Sequence, residues 1–174
     1  MAYNTKYRIE FKDINGKEVT VNINSLNYTN EVIYIDKLSD APLQIIVNGD
    51  GQDKYVTFKT SEVNLSLLSE VDYQYFEFSN FEEKQYTMEI FLDGLIKWKG
   101  FIVPDNYRES YDTVPYYVSL VATDYLSTLK DYDFADAEGN YDFGHMTPLS
   151  IIIFCLNKLE MDIDIWDGTN VFPE

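Results

Sequence analysis

The chain is poor in the residues that usually announce chemistry. Its 174 residues hold one Cys, one His and 13 Lys or Arg. A single thiol supports neither a disulfide framework nor a zinc site. Cys155 lies in the apolar run IIIFCL with no His, Lys or Arg beside it, so it reads as a buried structural thiol. Gly-rich phosphate loops are missing. No Ser or Cys stands in a nucleophile elbow, so His145 has no triad to serve and reads as a cap or surface residue. Nothing singles out two carboxylates for glycosidase work, and no catalytic residue or cofactor is expected. The opening MAYNTKYRIEF carries no signal-peptide core, and no apolar run approaches the about 18 residues of a membrane span. The cytoplasm of the producing cell is therefore the expected compartment.

Positive charge is scarce as well. Thirty acidic residues against 13 basic ones leave a net charge of −17. Repulsion from phosphate argues against nucleic acid as a partner, and anionic membrane surfaces are disfavoured for the same reason. From Asp131 onward ten acidic residues face only Lys158. A solvated surface is the simplest reading of that pole, and a cation site or a basic protein partner are the alternatives.

Aromatic residues are abundant: 16% of the chain, with 15 Tyr and 11 Phe. Flat and β-branched side chains suit a pleated surface, and Tyr hydroxyls need solvent or a partner, so half-exposed sheets are expected. The length suits one domain that buries roughly 70% of its unfolded surface without a staple.

The periodicity bears this out along the chain. Tyr7, Ile9 and Phe11 alternate with charged residues, Asn15-Gly16 signals a type I′ hairpin, and Val19, Val21 and Ile23 return. Val32–Ile35 and Leu43–Val47 are more continuously apolar and read as strands buried on both faces. Tyr55–Lys59, Val63–Leu68 and Tyr73–Phe78 are further strands. Gln85–Leu92 and Leu95–Val103 pair across Asp93-Gly94, Pro104-Asp105 stops that hairpin, and Tyr116–Ala122 is the last strand of the series. Asp124 is placed to cap a short helix bearing Leu126 and Leu129. Thr147-Pro148 opens a second helix, Leu149–Leu159, which is apolar nearly all round and so expected to be buried. Met161–Trp166 alternates like a strand near the end, which suggests a piece of a longer protein or a tail that pairs with another subunit.

The sum predicts a mainly β, β-rich α+β fold: an antiparallel β-barrel or sandwich of about nine strands with two short C-terminal helices. Residues 1–130 form the barrel-like domain. Residues 131–174 form an acidic loop plus a buried helix that packs on or continues it.

Three constellations deserve weighing. Asn48-Gly-Asp50-Gly-Gln52-Asp53 resembles a calcium loop, but Lys59 stands at its twelfth position and strands flank it, so a plain turn is preferred. Asp131, Asp133, Asp136, Glu138 and Asp142 form a denser cluster, a weak metal candidate against ordinary loop acidity. Tyr107, Tyr111, Tyr116 and Tyr117, around Pro104 and Pro115, are candidate interface residues or a sugar platform, and otherwise would roof the core.

Several ordered segments carry a resemblance. They are Gly49-Asp50 with Asp53-Lys54, SEVNLSL, Tyr86-Thr-Met-Glu-Ile with Asp93-Gly94, Trp98-Lys-Gly-Phe-Ile-Val-Pro-Asp, and PYYVSLVATDYLSTLKD. Together they resemble the N-terminal region of phage and prophage tail proteins, similar to baseplate tail-hub (tail-associated) proteins and type VI spike-like β-barrel domains. The likeness runs over roughly residues 5 to 160. It implies that W-x-G-x-I-x-P-D and A-x-D-x-L-x-x-L are structural rather than catalytic. It also implies a baseplate component that contacts other tail proteins, and that self-associates into a threefold ring beneath the tail tube. Such a chain would reside in the bacterial cytoplasm during assembly and then in the virion tail. Hub proteins of this kind usually run much longer. The competing expectation is an acidic β-domain that binds calcium or carbohydrate through the Asp131–Asp142 and Tyr107–Tyr117 loops.

Overall fold

The computed structural model describes residues 2–47, 60–109, 112–131, 133, 135 and 147–157. The chain divides into two compact units, Met1–Tyr125 and Leu126–Glu174, against the expected division at 130. The expected strand at Tyr55–Lys59, the Asn48–Asp53 turn and the Met161–Trp166 alternation lie outside the described residues.

The first unit is one mostly antiparallel sheet of eight strands: β1 (Tyr3–Lys12), β2 (Glu18–Leu26), β3 (Ile33–Ile35), β4 (Leu38–Val47), β5 (Ser61–Ser69), β6 (Tyr86–Leu92), β7 (Leu95–Ile102) and β8 (Tyr116–Asp124). The order across the sheet is β3-β1-β2-β6-β7-β8-β5-β4, and only β3 on β1 is parallel. The mainly β class is as expected. The barrel or sandwich is corrected: β3 bonds to β1 and β4 to β5, so the single sheet is not closed by hydrogen bonds. Its two outer strands are nonetheless consecutive in the chain. Only Asp36 and Lys37 separate them, and three Cα steps span at most about 11 Å. The sheet must therefore bend round until its edges approach one another at that link.

That bend explains the core. Alternate residues of β5 and β8 face inward, so Val63, Leu65 and Leu67 of β5 stand opposite Ala122, Leu120 and Val118 of β8. A second row runs Ile35, Ile9, Val21, Ile90, Trp98 across five strands. All of these buried residues belong to one hydrophobic cluster. The outer face of β1, β2 and β6 is polar: Thr5 donates to Asn24 (2.9 Å), Asn24 to Thr87 (3.4 Å), and Arg8 to Asn22 (3.1 Å).

The two hairpins use different turns. Asp93 (φ 50°) and Gly94 (φ 77°) both take positive φ, as a type I′ turn requires. At Asn15-Gly16 only Gly16 does (φ 80°), which corrects the expected type I′ turn. The competing force is Asp13, whose Oδ1 accepts the backbone N–H groups of Asn15 and Lys17, both at 2.8 Å. A carboxylate that satisfies two turn amides stabilises the longer loop.

Three further expectations are corrected. Residues of β3 and β4 are not buried on both faces. These are the edge strands, and Ile33, Tyr34, Ile45, Ile46 and Val47 all face solvent. Tyr73–Phe78 is not a strand. Tyr73 sits at φ 62°, and Phe76–Phe78 is a 3-10 turn, which buries Tyr75 and Phe78 rather than the even alternate of a strand. Phe78 is fully buried, its ring 5.7 Å from Tyr7 and 5.0 Å from Tyr86, so segment 70–81 stoppers the core. The first of the two expected helices, after β8, is a 3-10 turn, Tyr125–Asp131, and Asp124 ends β8 with its Oδ2 accepting from the Ser61 amide and hydroxyl.

In the second unit, α1 spans Pro148–Asn157. Thr147 caps it as expected, its hydroxyl accepting the Ser150 amide at 3.1 Å. The expectation of a buried helix is corrected: Ile151 and Ile153 are exposed, and Phe154, Cys155 and Leu156 are half-buried.

The W-x-G segment has a steric reason. A Cβ on Gly100 would lie 2.2 Å from the Thr123 carbonyl oxygen and 2.2 Å from the Trp98 ring. Trp98 Nε1 donates to Ser61 Oγ (2.9 Å), and Ser61 Oγ donates to Asp124 (2.8 Å), which ties β7, β5 and β8 together. Gly100→Ala should therefore destabilise the fold by about 3 kcal/mol or more, because a backbone oxygen cannot yield as a side chain can. Phe78→Ala should cost about 3–5 kcal/mol through the cavity it leaves. Urea denaturation checks both, and losses under about 1 kcal/mol would contradict this account of the core.

Candidate functional site

Two glutamates organise the aromatic residues that cover the core. Glu77, on the 3-10 turn, accepts from Lys6 Nζ and from the Tyr7 hydroxyl, and from the Tyr86 hydroxyl at 3.0 Å. The Lys6 ammonium also lies 5.4, 5.6 and 5.8 Å from the rings of Tyr7, Tyr28 and Tyr86. The Glu77 side chain is half-buried, and a carboxylate so placed is tolerated when each oxygen is hydrogen-bonded and its charge is met. Glu77 satisfies both conditions.

Glu109 repeats half of this arrangement. It accepts from the Tyr116 hydroxyl, from the Tyr107 hydroxyl at 3.1 Å, and from the Tyr73 amide at 3.0 Å. The Tyr73 amide also reaches the Tyr116 oxygen at 3.3 Å. These bonds hold the 70–76 turn against β8 and fix Tyr73 in its left-handed conformation. All three donors are neutral. Among the described residues the salt bridges are Lys6–Glu77 and Lys99–Glu89, so no described cation meets Glu109.

Beside Glu109 opens a cleft of about 660 Å³. Its walls are Tyr73, Phe76, Tyr107, Val114 and Tyr116, with Asp72 and Asp112 at the rim. Tyr73 is 65% exposed and Phe76 55%, and their rings meet edge to face at 5.7 Å. Large rings left in water at a concave site are the mark of a recognition surface.

The structure separates the residues expected from sequence. Tyr107 and Tyr116 both reach the cleft and both bind Glu109. Tyr117 is exposed but alternates to the other side of β8 and does not line it. Tyr111 lies outside the described residues. So do Asp136, Glu138, Asp142 and His145, while Asp133 is exposed and Asp131 ends the 3-10 turn. Among the described residues no group of three His, Cys, Asp or Glu could hold a metal. Cys155 is a free thiol, half-buried rather than buried.

Sequence reasoning missed Glu109, Tyr73, Phe76, Glu77 and Lys6. A carboxylate among thirty carries no local signal. The turn formers around the aromatic run, Ser69 to Asp72 and Ser79-Asn80, were the available hint that 73–78 is a loop. No protein-family model, curated protein or solved structure matches the chain.

The phenols held by these carboxylates resist ionisation. Tyr7 is raised well above the usual phenol range, by burial first and then by its bond to Glu77. Tyr107 is raised by burial and by its bond to Glu109, and Tyr116 by the Glu109 bond first. Tyr86 is raised from 10.0 to about 12, by burial and then by the Glu77 charge. Below pH 10 the Tyr86 proton is held in folded and unfolded chains alike, so its contribution to stability is fully present. As pH rises from 10 to about 12 the unfolded chain releases that proton while the folded chain keeps it, so stability falls across this window. Chemical denaturation at stepped pH should show a plateau below 10 and a steady loss above it, with the Tyr86 phenol ionising late and together with unfolding. Free titration of all phenols near 10 in the folded chain would contradict the two networks.

Proposed function

We propose that this chain is a structural component of a phage or prophage tail baseplate or hub, acting in assembly through protein–protein contacts and catalysing no reaction. The observation that carries the reading is where the resembling segments lie and what their side chains do. Trp98, Gly100, Ala122 and Asp124 are neighbours on adjoining strands, occupied with side-chain packing and a hydrogen-bond chain through Ser61. That is the structural role the resemblance implies for W-x-G-x-I-x-P-D and A-x-D-x-L-x-x-L. The exposed apolar residues on β3 and β4 give further support, since exposed apolar surface of this kind suits contact with assembly partners. Its partners in this reading are other tail and baseplate proteins, with self-association into a ring, and its location is the bacterial cytoplasm and then the virion tail. A charge of −17 disfavours nucleic acid and anionic membrane as partners.

The exposed Tyr73–Phe76 pair favours a second reading, in which the same cleft holds carbohydrate. Mass spectrometry of tail particles purified from the strain that carries the gene separates the two. The chain should co-sediment with tail-tube and tape-measure proteins at a fixed ratio. Recovery only in the soluble fraction, away from particles, would overturn the tail reading.

A further inference from the structure

The two glutamate networks are built alike, and one of them is incomplete. At Glu77 a carboxylate, two phenols and a lysine form a closed set, with the ammonium on the carboxylate and among aromatic rings. At Glu109 the carboxylate and the two phenols are present, the described residues supply no cation to it, and the cleft opens beside it. We infer that this cleft receives a lysine or arginine side chain from a partner protein, which takes at Glu109 the place that Lys6 takes at Glu77.

Several observations converge on that occupant. Glu109 is oriented by three neutral donors, and such hydrogen bonds supply a carboxylate with no counter-charge. Tyr73 and Phe76 offer exposed rings next to that charge, and a cation over such a ring is attracted to its face. Asp72 adds negative charge at the rim. Arg108 also lines the cleft, but it is exposed and makes no salt bridge to Glu109, so one more cation is accommodated without displacing a bound one. The volume exceeds a single side chain and suits several residues of a polypeptide. A chain of −17 attracts basic partners at long range, and the cleft would turn that attraction into a fixed register. The inference rests on the assembly reading for the occupant being a protein.

Amide NMR tests it with a capped Gly-Lys-Gly tripeptide, its norleucine analogue and N-acetylglucosamine as probes. The lysine peptide should shift the amides of residues 72–76, 112–114 and 116 saturably, and the norleucine peptide should not. Glu109→Gln should weaken binding about tenfold or more, as expected for loss of a charged hydrogen-bond partner. Glu83→Gln, an exposed carboxylate outside the cleft, removes the same charge and should change nothing. Phe76→Ala, whose ring is mostly in solvent, keeps the fold and should weaken binding several-fold, so the test survives if Glu109→Gln misfolds. Equal binding by wild type and both cleft variants would overturn the inference. So would equal binding of norleucine, or a sugar response that Glu109→Gln leaves intact. A chain found in tail particles whose cleft takes no lysine defeats this inference alone. A chain absent from particles whose cleft takes lysine defeats the tail reading alone.

Discussion

The Glu77 carboxylate is the constraint on which the first unit depends. A sheet that bends round on itself without hydrogen-bond closure leaves its inner face open, and something apolar must fill the opening. Segment 70–81 does so with Tyr75 and Phe78, but it brings a carboxylate between them. That carboxylate, on a side chain 30% exposed, needs partners beside the buried rings. Lys6, Tyr7 and Tyr86 resolve the conflict from β1 and β6, and in doing so fix the stopper to two strands.

Glu109 anchors the same segment at its other end, to Tyr107 and to β8 through Tyr116. The difference between the two anchors is instructive. One is internally compensated and serves packing alone. The other has no described cation on its carboxylate and leaves aromatic surface exposed at a concave opening. The Trp98–Ser61–Asp124 chain plays a comparable part on the far strands, where Gly100 leaves room for both the Trp98 ring and the Thr123 carbonyl of β8.

Much of the sheet was legible from local pattern. Strict alternation marked β1, β2, β5 and β8, Asp93-Gly94 fixed the β6–β7 turn, and Thr147-Pro148 located the start of α1. These signals are legible because they depend on neighbours within a few residues. The readings that failed depended on distant ones. Continuous apolarity in Val32–Ile35 and Leu43–Val47 suggested central strands, yet strand order made them edges with solvent on their apolar residues. The same logic failed for Leu149–Leu159, whose apolar circumference predicted burial while Ile151 and Ile153 stand exposed. Of the candidate site, Tyr107 and Tyr116 were chosen from an aromatic loop, but nothing local showed that Glu109 would join them or that Tyr73 would lie opposite.

By itself the sequence determined a β-rich chain with strong negative charge, the positions of most strands, one hairpin geometry and one helix cap. Each of these follows from side-chain period, turn conformation or composition, which are properties of adjacent residues. Only the tertiary structure decided which strands became edges, that residues 73–78 stopper the core instead of joining the sheet, and that Glu77 and Glu109 gather phenols. Those outcomes follow from contacts between residues far apart in the chain, 71 positions in the case of Lys6 and Glu77. A side chain cannot specify such a partner alone, because its worth depends on which other groups the bent sheet brings within hydrogen-bonding reach.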